Sequence, residues 1–269
     1  MNFKLDPIKR FCLFLTIFAG VAIAYNWSND VLLHLAATLG FGLVLFALYS
    51  KLSIKRKNVW DTVITAELIF LLLHYGTGLS SLIYPLMAVF IAETLKFFIE
   101  WKSSPIVNPA AAALLLTAGI GALIGWELPF VSWWGASYWM LPIGVPVSLI
   151  LLALWIGGGF YVWRKWPIFL SFLAAYAMLA YLRTGDLEFL QFTYLDSFVY
   201  FFASIMLPEP KTSPFLPWKQ VAYGILAAAI LNALAYAGVP YSELFALVGA
   251  NLFNAGLKWK PSPKLAPAA

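Results

Sequence analysis

Two short polar, proline-rich segments interrupt a chain that is otherwise almost continuously apolar. The first runs Trp101-Lys102-Ser103-Ser104-Pro105-Ile106-Val107-Asn108-Pro109, and the second Pro208-Glu209-Pro210-Lys211-Thr212-Ser213-Pro214. Each ends one apolar run and opens the next. Inside a bilayer an unpaired backbone N–H or C=O is costly, so irregular chain survives there only when protein buries it or when it lines a wet cavity. Interrupted helices of this kind point to where a membrane protein handles its ligand or ion. The two breaks, near 103–109 and 208–217, are therefore predicted to face a common hollow.

Composition sets the class. Of 269 residues 62% are hydrophobic and 11% charged, with a mean hydropathy of +0.85, where a soluble domain carries about 25% charged residues. This is the pattern of an all-α integral membrane protein with several spans. A net charge of +5 would suggest nucleic acid as partner in a soluble chain, but here membrane topology accounts for it and no nucleic acid is expected. The single cysteine, Cys12, excludes an internal disulfide, and no Cys or His spacing indicates zinc or iron–sulfur ligation. No convincing small-residue cleavage site follows the first apolar run, which is read as a retained span.

A helix needs about 20 apolar residues to cross the hydrocarbon. Ten segments qualify or nearly do: 11–26, 29–50, 60–77, 80–99, 109–126, 144–163, 167–182, 193–207, 216–238 and 241–257. With the N-terminus cytoplasmic, ten crossings place 16 of the 17 basic residues on the inner side and leave only Arg183 outside, as the positive-inside rule requires. Both termini are then cytoplasmic. Residues 1–260 are predicted to form one polytopic domain, followed by a disordered tail over 261–269. The outer connections hold Asn26 to Asp30 and the stretch Trp126 to Trp139, whose aromatic residues suit an interfacial belt.

Ionisable groups within spans are expensive and are functional candidates by default. Glu67 sits mid-way along the third segment, Glu93 lies inside the fourth, and Asp196 and Glu243 open the eighth and tenth. Glu67 suits either a coupling-ion or proton site, or a hydrogen-bonded carboxyl joining two helices. Glu93 has Lys96 three residues along the same face and is positioned to pair with it. Asp196 and Glu243 lie where a helix N-terminus welcomes a carboxylate. His34 and His74, at similar depth, suit a bis-histidine haem or ordinary helix–helix hydrogen bonding. Gly121 and Gly125 form a GxxxG, and Gly157 to Gly159 a glycine run; both allow close helix approach or space for a flat ring. No nucleophile–base pair, phosphate-cradling loop or metal-ligand cluster stands out, so an autonomous enzyme is not expected.

At the two breaks the chain resembles the NqrB/RnfD family, the membrane subunits of Na⁺-translocating NADH:quinone oxidoreductases and Rnf electron-transport complexes. Asn108-Pro109-Ala110 opening a small-residue helix, and Glu209-Pro210-Lys211-Thr212-Ser213-Pro214, resemble the family's two signatures. Weaker echoes are Trp155 to Gly159 leading into Pro167 to Leu173, Pro240, and Ala250 to Phe253. The likeness covers about Asp61 to Phe253. It implies ten helices in two related five-helix halves, bound flavin, and electron flow coupled to Na⁺ or H⁺. The family's flavin-bearing threonine motif is replaced by Trp133-Trp134-Gly135-Ala136-Ser137, so any flavin (FMN or riboflavin) is expected to be non-covalent. Gly135 is read there as a conformationally permissive residue in an aromatic turn.

The resemblance implies cofactor binding at Asn108, Pro109, Glu209, Pro210, Thr212 and Ser213, with Glu67, Glu93 and Asp196 as ion-coupling candidates. The chain would be the membrane subunit of a flavin-linked electron-transport complex in a bacterial-type inner membrane. It has no NAD fingerprint and no iron–sulfur ligands, so other membrane and cytoplasmic subunits would deliver electrons. The alternative is a small-solute or flavin transporter or channel on the same fold, without redox activity.

Overall fold

The computed structural model describes residues 6–52, 58–101, 104–125, 131–136, 147–188 and 197–258. Asp196, Ser137 and the tail from Pro261 lie outside the described residues. The architecture is all-α, with helices α1 (Pro7–Tyr25), α2 (Asn29–Leu52), α3 (Val59–Leu72), α4 (Ile83–Phe98), α5 (Pro109–Leu123), α6 (Val147–Trp163) and α7 (Trp166–Thr184). These are followed by α8 (Ser197–Phe201), α9 (Pro217–Tyr236) and α10 (Ser242–Lys258). The described strands are β1 (Glu100–Trp101) and β2 (Ser104–Pro105), a two-stranded antiparallel hairpin inside the first break. Among the described residues each predicted apolar segment overlaps a helix, though not always one of spanning length.

Local chemistry explains where the helices begin. Asp6, Asn58 and Asn108 each accept a hydrogen bond from a first-turn backbone N–H, satisfying donors that have no partner within the helix. Proline occupies the first turn of α1, α5, α7 and α9, where its missing N–H costs nothing. Among the described residues five helical stretches are long and apolar enough to cross a membrane: α1, α2, Leu79–Phe98 (α4 with its leading turn), α7 and α9. Of the others, Pro109–Leu123 and Val147–Gly158 are shorter apolar helices.

The third segment, read as 60–77, stops earlier: α3 ends at Leu72. Its end is deeply buried and therefore needs partners for its last carbonyls. Residues 131–136 provide them. Gly135 N donates to Leu71 O at 2.9 Å, Ser132 N to Leu72 O at 3.1 Å, and Trp134 Nε1 to Phe70 O at 2.7 Å. This corrects the reading of Gly135. Its backbone is not in the left-handed region, where Trp133 sits instead with φ 53°. Gly135 is required by close approach, because an added Cβ would lie 2.8 Å from Leu71 Cα. Gly135→Ala is expected to destabilise the domain by about 1–3 kcal/mol through overpacking, seen as a lower thermal midpoint in detergent. An unchanged midpoint would place the segment elsewhere.

The other glycines also differ from the close-packing expectation. Gly125 lies beyond α5 with φ 70°, the left-handed conformation that closes a helix. A Cβ on Gly157 or Gly158 would meet nothing within 4 Å. The tight helix contact is instead at Gly224 on α9, where a Cβ would fall 2.6 Å from Ile168 O on α7.

After α8 the helix widens into a π turn over Phe202–Met206, with Leu207 N bonded to Phe202 O at 2.9 Å. Phe201 to Leu207 are almost wholly buried, so the second break starts deep inside protein. Single π turns of this kind occur often at functional sites.

Candidate functional site

Both breaks open onto one cavity of about 720 Å³. Its polar wall holds Asp61 and Thr62 of α3, Lys96 of α4, Asn108, Glu209 and Lys211; apolar faces come from Phe11, Phe97 and Trp163. Pro109 and Pro210 complete the two elbows. The volume lies within the range of about 300–1,000 Å³ typical of small-molecule sites, and the mix of apolar walls with a few polar groups is typical as well.

Asn108 works as a cap: its Oδ1 accepts from Ala111 N at 3.0 Å while its own N donates to Asn251 Oδ1 at 2.7 Å. Asn251 in turn donates through Nδ2 to the Tyr223 hydroxyl at 2.5 Å. One turn further along α10, Asn254 Nδ2 donates to Thr212 O at 2.5 Å. Residues i and i+3 share a helix face, so this one face of α10 grips both breaks.

The second break is wound around Glu209. Thr212 Oγ1 donates to its Oε2 at 2.9 Å, Ser213 Oγ donates to its carbonyl oxygen at 2.7 Å, and Ser213 N donates to the same carbonyl at 3.0 Å. Thr212 and Ser213 are buried behind the cavity wall and act on the turn. Burial pushes the Glu209 carboxyl above the ordinary carboxylate range, opposed by the Thr212 hydrogen bond and the Lys211 ammonium. Past the turn, buried Lys165 donates from Nζ to Pro214 O at 2.7 Å and stands 4.7 Å from the Phe215 ring centroid.

A charge network crosses the cavity. Lys211 Nζ meets Asp61 Oδ2 at 2.5 Å. Lys96 Nζ meets Glu93 Oε1 at 2.5 Å and donates to the Asp61 carbonyl oxygen at 3.0 Å. Thr62 Oγ1 completes it by donating to Glu93 Oε2 at 2.9 Å. Glu93 is thus the buried partner of Lys96.

Glu67 does not join this group. It faces α1, where Thr16 Oγ1 lies 2.6 Å from its Oε1, and its buried Oε2 has no hydrogen-bond partner among the described residues. The histidines stand apart from the cavity too. His34 is buried edge-on against Phe70 with ring centroids 5.3 Å apart, while His74 is exposed beyond α3 and stacks on Tyr75. Glu243 lies in the first turn of α10, as expected for a carboxylate at a helix N-terminus.

Sequence reading missed Asp61, Lys211, Tyr223 and Asn254 as members of the site. In the sequence Asp61 marks only the start of the family likeness, and Lys211 only a place in the second break, with no role in the site assigned to either. Lys211 had a signal through its place in the second break, and Asn251 through its place in the Ala250 to Phe253 echo.

Fold and site together define a multi-pass helical membrane protein built around one polar-walled cavity at two helix interruptions. No protein-family model matches the chain, and a search of curated proteins finds no match.

Proposed function

We propose that the chain is the membrane subunit of a flavin-linked electron-transport complex that couples electron flow to Na⁺ or H⁺ movement. In this reading ten spans form two related five-helix halves in a bacterial-type inner membrane, and both termini and the cavity mouth are cytoplasmic. The observation that carries it is the meeting of the two family-like motifs, with Asn108 and Glu209 101 positions apart, at one cavity and under one face of α10.

The lining suits a planar ring with a polar edge. Phe11, Phe97 and Trp163 would cover its faces and exclude water, while Asn108 and Glu209 stand at the polar wall. When bound there, a flavin would supply the electron-carrying chemistry, and the protein would supply orientation and electrostatics. Glu67, with one buried carboxylate oxygen unpartnered among the described residues, is the coupling acid in this reading; Glu93 is held by Lys96. Partner subunits deliver the electrons.

The visible spectrum of the purified protein tests the reading. Oxidised-flavin absorbance, bleached by a reductant, supports it; a colourless protein that moves a small solute into liposomes replaces it with the transporter alternative. Asn108→Ala is expected to lower stability by about 0.5–2 kcal/mol, the usual cost of a lost cap, and to lower flavin retention by a larger factor than folding yield. Equal losses in retention and yield would make Asn108 purely structural.

A further inference from the structure

The cavity has two ammonium groups on its described lining, Lys96 and Lys211. A pocket so equipped would ordinarily attract a phosphate or carboxylate. Here both cations are already engaged. Lys211 is paired with the Asp61 carboxylate, and Lys96 is paired with Glu93 while also bonded to the Asp61 carbonyl. Asp61 therefore touches both lysines, with its side chain on one and its backbone on the other. The N-terminus of α5, the other ready anion site at this wall, is capped by Asn108's own side chain. Glu209 adds a further acid to the wall. Asp61 and Glu93, the latter behind Lys96, thus offset the two ammonium groups, and no lining cation among the described residues is left without a carboxylate beside it.

We infer that Asp61 is a specificity-determining residue that makes the cavity select ligands without net negative charge and reject phosphate-bearing ones. The inference rests on the cavity being the ligand site proposed above, and it narrows the ligand to a neutral or cationic ring compound. Potentials in a cleft with low-dielectric walls are focused, so one charge at the wall changes the local concentration of charged solutes severalfold or more. Removing the Asp61 carboxylate frees Lys211 and reverses the preference.

The test reads the charge of the cavity without any flavin. Ser104, on the lining, is replaced in the full chain by Ser104→Cys, with Cys12→Ala removing the chain's one native thiol. The new thiol is modified with methanethiosulfonates of similar size carrying either a trimethylammonium or a sulfonate group, and rates are normalised to a small free thiol. The cationic reagent is expected to react faster. Asp61→Asn should shift the ratio toward the anionic reagent by about tenfold, and Lys211→Gln should shift it the opposite way. Opposite shifts cannot both arise from misfolding. A ratio that Asp61→Asn leaves unchanged, shifts in the same direction from both variants, or a thiol that neither reagent reaches overturns the inference. A flavin-free spectrum would overturn the redox reading alone and leave these rates unaffected.

Discussion

Lys96→Met is expected to destabilise the folded domain by about 3–5 kcal/mol, the cost of breaking a buried ion pair by removing one partner. The pair qualifies as buried: the Lys96 and Glu93 side chains are 10% and 1% exposed. Methionine matches the length and apolar stem of lysine, so the loss would come from the charge and its hydrogen bonds and not from a void. Glu93 would keep only the Thr62 hydroxyl, and the Asp61 carbonyl would lose its Lys96 donor. Replacing both partners, Lys96→Met with Glu93→Leu, removes both charges together. Buried pairs exchanged for apolar residues of similar volume are often neutral or even stabilising, so the double variant should recover most of the loss. Unfolding in detergent measures both variants. If the single variant unfolds like the parent, the pair is not buried as described; if the double variant is worse than the single, Thr62 and Asp61 depend on it more than on packing.

That pair also shows how far the sequence could be read. Glu93 and Lys96 are three residues apart on one helix, so their meeting follows from helical periodicity. The breaks were legible for a similar reason: proline and Asn-Pro forbid a continuing helix and favour a new one. What is local in the chain was visible. The Asp61–Lys211 pair spans 150 positions, and the Asn251–Asn108 bond spans 143; no local pattern encodes either. The end of α3 was misplaced because Leu73 and Tyr75 carry the apolar run on past Leu72, where the helix stops. Hydropathy cannot tell a helix from buried irregular chain when residues 131–136 satisfy its carbonyls. Gly135 was recognised as special for the wrong reason, since close contact with Leu71 leaves no local mark.

Asn251→Ala is expected to cost the most of any single change on α10. It would remove the acceptor from Asn108 N and the donor to the Tyr223 hydroxyl, both buried. Leaving a buried polar group unpaired costs about 1–3 kcal/mol, so the two together cost about 2–6 kcal/mol. Asn254→Ala strands only the Thr212 carbonyl, and its loss should be about half as large. Tyr223→Phe separates the two arms of Asn251, because it leaves the Asn108 bond intact. If α10 acts as the clamp that sets the first break, Asn251→Ala should lower ligand retention while Tyr223→Phe lowers mainly stability. The Asn251→Ala/Tyr223→Phe double variant should be less destabilised than the sum of the singles, since residues that share a bond are not additive. Strict additivity would mean the two side chains do not interact in the folded protein, and retention unchanged by Asn251→Ala would show that the first break holds its place without α10.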